Sequence, residues 1–336
     1  MTEKLKIVQY GLDPLGCAIL RNLGGNPDLD VVGAIDPQMA GSHRSISQAT
    51  QISGFEEAPV FGSFEDLPPS SRPDAIFHTA GNGIKDTLEQ LKPVCENGAS
   101  VVTSCDEMLF PWHRAPELAS EIDAICRRKD VRVVGAGTGP GAAFNHLPIS
   151  LAGLTGNIRS VSVECVSKAN DRRPAVQDRI GYGLDPETFR EGWANGELGI
   201  TGFHESLLIV AHAIGWPIPA LDQWCEPILA ERELKLPEIT VKAGQVSGLY
   251  QMIRATVPTG ESIQFELKLM PETEEPRDKI HIMGDPPVEA SLPGTIQGDA
   301  ANAWTLIKTL PRLRQLTPGV KLMTDLPSAI AFSQDV

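Results

Sequence analysis

Three sets of side chains in this sequence have the type and setting to move protons: the adjacent acids Asp106 and Glu107, His78, and His204. Glu107 follows the apolar run VVTSC and is flanked by Met108, Leu109, Phe110 and Trp112. Such surroundings desolvate a carboxyl group and raise its pKa toward the range useful for general acid–base chemistry. Asp106 reads as a cap for the turn that follows. His78 reads as a hydrogen-bonded strand-end histidine that also stands where a cofactor contact would lie. His204, early in an amphipathic stretch, reads as structural. Arg172 and Arg173 read as a solvated basic pair, with capture of a substrate carboxylate as the alternative.

A second constellation has the spacing to bind a dinucleotide. Residues 6–16, KIVQYGLDPLG, read as a buried strand, a glycine turn and a helix start. Gly11 permits the sharp turn, and Gly16 lets helix and strand pack closely. The backbone of Gly11, Leu12, Asp13, Pro14, Leu15 and Gly16 would then surround the positive end of a helix, a setting for a pyrophosphate. The next strand, VVGAID, ends in Asp36, 20 residues after Gly16. That is the spacing for a carboxylate on the adenosine ribose, and it favours NAD over NADP. His43 and Arg44 follow and leave NADP open. Asp13 dissents: it stands where the fingerprint has its middle glycine and would bring a negative charge near the phosphates.

These groups need a sheet to hold them. Residues 1 to about 140 alternate strands and helices, the doubly wound α/β pattern. Strands are expected at 58–62, 74–80, 100–105 and 131–135, and helices at 83–97 and 113–129. Thr79, Ala80 and Gly81 fall at the carboxyl edge of the 74–80 strand, where such sheets bind ligands. Residues 135–141, GAGTGPG, suit a loop at a domain boundary, and an apolar helix is expected over 142–154. Beyond residue 157 the pattern changes to a strand at 158–166, an amphipathic helix at 203–216 and a mostly β region at 224–292. A helix at 299–316 is expected to pack back on the first domain. The domain reading is therefore 1–145 with 298–336 for the dinucleotide, and 146–297 for substrate and dimerisation. The second domain is α+β, with a large, mostly antiparallel sheet whose open face suits a second copy.

Composition narrows the class. The 336 residues are 41% hydrophobic and 21% charged, normal for a globular protein with two cores. A net charge of −14 argues against nucleic acid and anionic membranes as partners. No apolar run reaches about 18 residues, and the first residues lack a signal-peptide pattern. Six scattered cysteines without a CxxC pair suggest neither zinc nor a disulfide frame, so reduced thiols in the cytoplasm are expected.

Several longer motifs carry a family resemblance: VVTSCDEMLFPW, GTGPGAAFNHLP, NDRRPAVQDRIGYGL, GITGFHESLLIVAHAIGW and QGDAANAWTLIKTLPRL. Through them the chain resembles the 2,4-diaminopentanoate dehydrogenases and native amine dehydrogenases, within the dihydrodipicolinate-reductase-like group. The resemblance implies an N-terminal Rossmann domain, NAD(P), a homodimer, and interconversion of amines with carbonyls and ammonia. It places the catalytic glutamate of an S-T-C-E-E-L motif at Glu107. Thr138, Phe144, Asn145, Ile180, Tyr182, Ile200 and Phe203 are then candidate walls of the substrate pocket. Departures are Gly139 for the family's asparagine, Asn145 for its aspartate and Ile200 for a histidine. The loss of polar groups tilts the reading toward small aliphatic or cyclic amines. The alternatives are a diaminopentanoate or other amino-acid dehydrogenase and, more remotely, a non-catalytic NAD(P)-binding redox sensor.

Overall fold

The computed structural model describes residues 4–327 apart from 43, 82, 139–141, 170–173, 218–219, 237–238, 274 and 297–298. His43, Gly139, Arg172 and Arg173 lie outside the described residues. In chain order the first elements are β1 (Leu5–Tyr10), α1 (Pro14–Leu23), β2 (Leu29–Ile35), α2 (Ile46–Thr50), β3 (Val60–Phe61), β4 (Ala75–His78), α3 (Ile84–Glu96), β5 (Ser100–Thr103), α4 (Pro116–Lys129) and β6 (Arg132–Gly135). Next come α5 (His146–Ala152), β7 (Gly156–Lys168), α6 (Pro174–Asp178), α7 (Pro186–Ala194), α8 (Phe203–Ile214), β8 (Asp222–Leu229), β9 (Leu234–Lys235) and β10 (Thr240–Val241). The chain ends with β11 (Val246–Thr256), β12 (Ser262–Met270), β13 (Arg277–Asp285), β14 (Val288–Pro293), α9 (Asp299–Leu313) and β15 (Gly319–Lys321). It divides into two compact units, Met1–Gly137 with Asp299–Val336, and Thr138–Gly298.

The first unit is an α/β layer built on a parallel sheet with strand order β15-β6-β5-β4-β1-β2-β3. Its central strands are continuous apolar runs because both faces are covered. Leu88, Leu91 and Val94 of α3 and Ile122, Ile125 and Cys126 of α4 cover one face. Leu15, Ile19 and Leu23 of α1 join Leu306, Leu310 and Leu313 of α9 over the other. Strand order reverses between β1 and β4, so the carboxyl ends of these two strands open a crevice. Residues 319–321 add a seventh strand too short for sequence periodicity to reveal.

The second unit holds a six-stranded mixed sheet of order β14-β13-β7-β12-β11-β8, antiparallel except between β7 and β12. Alternation along β12 turns Ile263, Phe265, Leu267 and Leu269 inward. They pack with Phe203, Leu207, Val210 and Ala211 of α8. The opposite face is polar, with Glu266 accepting from Tyr250 at 2.8 Å and from Gln264 at 2.7 Å. The continuous helix expected over 142–154 is interrupted: a 3-10 turn at Ala142–Phe144 is followed by α5. Asn145 sits between them at φ −137°, and its side chain accepts the His146 N–H, so the backbone leaves the helical path and starts again. Among the described residues no helix is long and apolar enough to cross a membrane.

Candidate functional site

The turn after β1 is shaped by two missing side chains. Gly11 has φ +97°, and a Cβ there would meet Thr79 Oγ1 at 2.8 Å and Ala80 N at 3.0 Å. A Cβ on Gly16 would lie 2.1 Å from the Gly11 carbonyl oxygen. Thr79 ties the two strand ends together: its N–H donates to the Tyr10 carbonyl at 2.8 Å and its hydroxyl to the Gly11 carbonyl at 3.2 Å. Thr79, Ala80 and Gly81 therefore leave β4 beside the turn. The side chains of Leu12 and Leu15 are buried in the core, so these residues offer a ligand only backbone.

Asp13 has a structural role that the fingerprint spacing does not reveal. It is the N-cap of α1, its Oδ1 accepting the Gly16 N–H at 2.8 Å, with Pro14 at the first helical position. Such a cap is worth about 1 kcal/mol of helix stability. The acid that looked like a defect in the fingerprint is a helix-starting device. Asp36 is fixed equally firmly. Its Oδ2 accepts the Leu12 N–H at 3.0 Å, and its Oδ1 accepts from Gln38 and Met39 at 3.0 and 3.2 Å. A carboxylate held at the end of β2, beside a turn that admits no Cβ at Gly11 or Gly16, fits a dinucleotide whose ribose reaches Asp36.

Glu107 lies in a 3-10 turn, Asp106–Leu109, just beyond β5. The cap position of that turn is Cys105, without a side-chain bond, so Asp106 is inside the turn and not its cap. The apolar setting expected for Glu107 is also corrected. Met108 and Leu109 are 0% and 2% exposed and face the core, while the Glu107 carboxylate turns away to polar partners. Oε2 accepts the Ile84 N–H at 2.6 Å, at the start of α3. Oε1 lies 3.1 Å from Nε of Arg114. Arg114 is the residue that reasoning from the sequence missed; a second 3-10 turn, Pro111–His113, brings it back to Glu107.

His78 is fully buried at the end of β4, with Nδ1 3.0 Å from Thr103 Oγ1 and Nε2 2.8 Å from Gln90 Oε1. Burial pushes its pKa down to about 4, below the ordinary 6.5. The unfolded chain thus takes up this proton more readily than the native one. The contribution is complete above the ordinary value and is lost as pH falls toward about 4. His78→Gln is expected to remove roughly 3 kcal/mol of the acid sensitivity of stability. Urea titrations of both proteins at about pH 7 and about pH 4.5 give that difference.

The pocket candidates of the second unit divide by burial. Phe144, Ile180 and Phe203 are 0%, 0% and 1% exposed and belong to its core, with ring centroids of Phe144 and Phe203 5.0 Å apart. Asn145 is fully buried as the cap described above. Tyr182 and Ile200 are partly exposed and pack on the edge of the same core. Thr138 is also half-exposed. Fully buried Gln251 clamps Ile200, accepting its N–H at 2.7 Å and donating to its carbonyl at 2.9 Å. This pairing spans 51 residues and left no local trace in the sequence. Among the described residues no cluster of three or more His, Cys, Asp or Glu is placed to hold a metal.

Comparison with known proteins places this architecture. The curated 2,4-diaminopentanoate dehydrogenase of Acetoanaerobium sticklandii is 28% identical over 342 residues, covering 99% of this chain and 96% of its own length. The solved amine dehydrogenase from Mycobacterium smegmatis shares the fold with a TM-score of 0.86, at 20% identity over 98% of both chains. A dihydrodipicolinate reductase from Paenisporosarcina sp. TG-14 shares it more distantly, with a TM-score of 0.54 at 11% identity over 95% of this chain and 98% of that one. The family profile of the 2,4-diaminopentanoate dehydrogenase C-terminal domain matches residues 143–336. That match spans more than half of the chain, which therefore belongs to the 2,4-diaminopentanoate dehydrogenase family.

Proposed function

We propose that this protein is an NAD(P)-dependent amine dehydrogenase that converts small aliphatic or cyclic ketones and aldehydes, with ammonia, into primary amines, and the reverse. The observation that carries the reading is the placement of Glu107. Its carboxylate stands beyond the carboxyl end of β5, on the same edge of the parallel sheet as the glycine turn after β1, with one partner on each oxygen among the described residues. A carboxylate oxygen has two acceptor positions, so each still has room for a substrate proton.

Gly11, Leu12, Asp13, Pro14, Leu15 and Gly16 would hold the cofactor's pyrophosphate, Asp36 its ribose, and Thr79, Ala80 and Gly81 its path along the sheet edge. When bound, the nicotinamide would supply the hydride donor and acceptor. Glu107 takes a proton from ammonium, freeing the nucleophile that attacks the carbonyl carbon. Protonated Glu107 then gives its proton to the carbinolamine hydroxyl, which leaves as water. Loss of that water leaves an iminium carbon open to reduction. In the reverse direction Glu107 holds the amine and takes up its proton.

Asp36 makes NAD the preferred cofactor. A 2′-phosphate would meet a carboxylate that three backbone N–H groups hold in place. The ratio of kcat/KM for NADH over NADPH is expected to exceed about tenfold, and to fall in Asp36→Ser.

Ile200 favours neutral substrates over diaminopentanoate. The 28% identity to the curated relative favours the opposite reading. Turnover of cyclohexanone or isobutyraldehyde with ammonium, set against oxidation of 2,4-diaminopentanoate, decides between them. Higher kcat/KM for the simple pair supports the proposal; strong preference for diaminopentanoate overturns its substrate class. The polar face of the six-stranded sheet is proposed to pair with a second copy, which sedimentation equilibrium reads as twice the chain mass.

A further inference from the structure

We propose that Arg114 is a positioning residue for Glu107: it fixes one carboxylate oxygen while the start of α3 fixes the other. The inference rests on the reading of Glu107 as the proton-transfer group. The geometry is a two-point clamp within the first unit. The Ile84 N–H donates to Oε2 at 2.6 Å, and Arg114 Nε lies 3.1 Å from Oε1. Without the second point, a carboxylate held by one N–H swings about its terminal torsion, which has broad, shallow minima. With both points held, the plane of the carboxylate is set and its remaining acceptor positions face a defined direction.

Burial does not account for the pair. The Glu107 side chain is 19% exposed and that of Arg114 38%, so this is no desolvated core ion pair, and half-exposed pairs of this kind contribute little to stability. Nor is Arg114 joined to Glu107 by helical periodicity. Two successive 3-10 turns, Asp106–Leu109 and Pro111–His113, fold the chain so that a residue seven positions on returns to the carboxylate. The guanidinium is always charged, so it anchors that oxygen electrostatically at every working pH. A proton-transfer group must lie within hydrogen-bond reach of its target, and misplacement by about 1 Å lowers rates by roughly 100-fold.

The test measures ammonium-dependent carbonyl reduction in Arg114→Gln, Arg114→Lys, Glu107→Gln and the Arg114→Gln/Glu107→Gln pair, with nucleotide KM and thermal midpoint for each. Arg114→Gln is expected to lower kcat roughly 10- to 100-fold, leaving nucleotide KM and midpoint unchanged. Arg114→Lys should restore most of the loss because it returns a cation. In the Glu107→Gln background the Arg114 substitution should change nothing further, since its action runs through that carboxylate. Arg114→Gln activity within about twofold of wild type overturns the inference while leaving Glu107 in its role. So does a loss confined to the KM of a carboxylate-bearing substrate, which would make Arg114 a substrate ligand. Undiminished turnover in Glu107→Gln overturns the parent reading and this one together.

Discussion

Glu107→Gln is expected to lower ammonium-dependent turnover by roughly 10²- to 10⁴-fold, with nucleotide affinity kept. The substitution preserves the size and shape of the side chain. A glutamine oxygen still accepts the Ile84 N–H, so the 3-10 turn over β5 and the start of α3 keep their contact. The amide loses the capacity to take up and return a proton. Both halves of the proposed reaction need that capacity: deprotonation of ammonium, and protonation of the departing hydroxyl. The glycine turn is built by other residues, so nucleotide affinity serves as the control in the same protein. Rates under saturating carbonyl and ammonium, with dissociation constants from nicotinamide fluorescence, check both parts.

Gly16→Ala is expected to act on the other half of the site. The added Cβ would lie 2.1 Å from the Gly11 carbonyl oxygen, 2.9 Å from Gln9 Nε2 and 3.0 Å from Thr79 Oγ1. That carbonyl cannot simply retreat, because it accepts hydrogen bonds from Gln9 at 3.0 Å and Thr79 at 3.2 Å. Helix and strand must separate instead. Overpacking of this kind costs roughly 1–3 kcal/mol and displaces backbone. The displaced groups include the Gly16 N–H held by Asp13 and the turn that would meet the pyrophosphate. Loss of about 1.4 kcal/mol of cofactor binding is already tenfold in Kd. A lowered thermal midpoint together with a nucleotide Kd raised by at least about tenfold is the predicted pair of results. Calorimetry and fluorescence titration measure them.

How far the site is legible in the sequence depends on how locally each part is determined. Gly11, Gly16 and Asp36 obey spacings imposed by a strand, a turn and a helix, so short-range pattern finds them. The capping role of Asp13 is less legible, because spacing marks its position but not its rotamer. An acidic residue immediately before a proline at a helix start is itself a capping signal, and that signal was available. The surroundings of Glu107 are hidden from the sequence for a different reason. Neighbours in sequence are neighbours in space only if the local geometry makes them so. In a 3-10 turn three residues complete a revolution, and Met108 and Leu109 turn into the core while Glu107 faces away. Arg114 and Gln251 were beyond reach. One pairing depends on two consecutive tight turns, and the other joins an irregular loop to β11 across 51 residues. The burial of Phe144, Ile180 and Phe203 was concealed likewise, because apolar aromatic and branched residues suit a pocket wall and a core equally well.

The most direct test of the account is isotopic. The protein is incubated with NADH, a simple ketone and [15N]ammonium, and the products are quantified by mass spectrometry against NADH consumed. The account predicts one 15N-labelled primary amine for each NADH oxidised, and no oxidation when ammonium is omitted. Formation of the alcohol at the same rate without ammonium would contradict it, because the hydride would then be reaching a carbonyl and Glu107 would have no iminium to prepare.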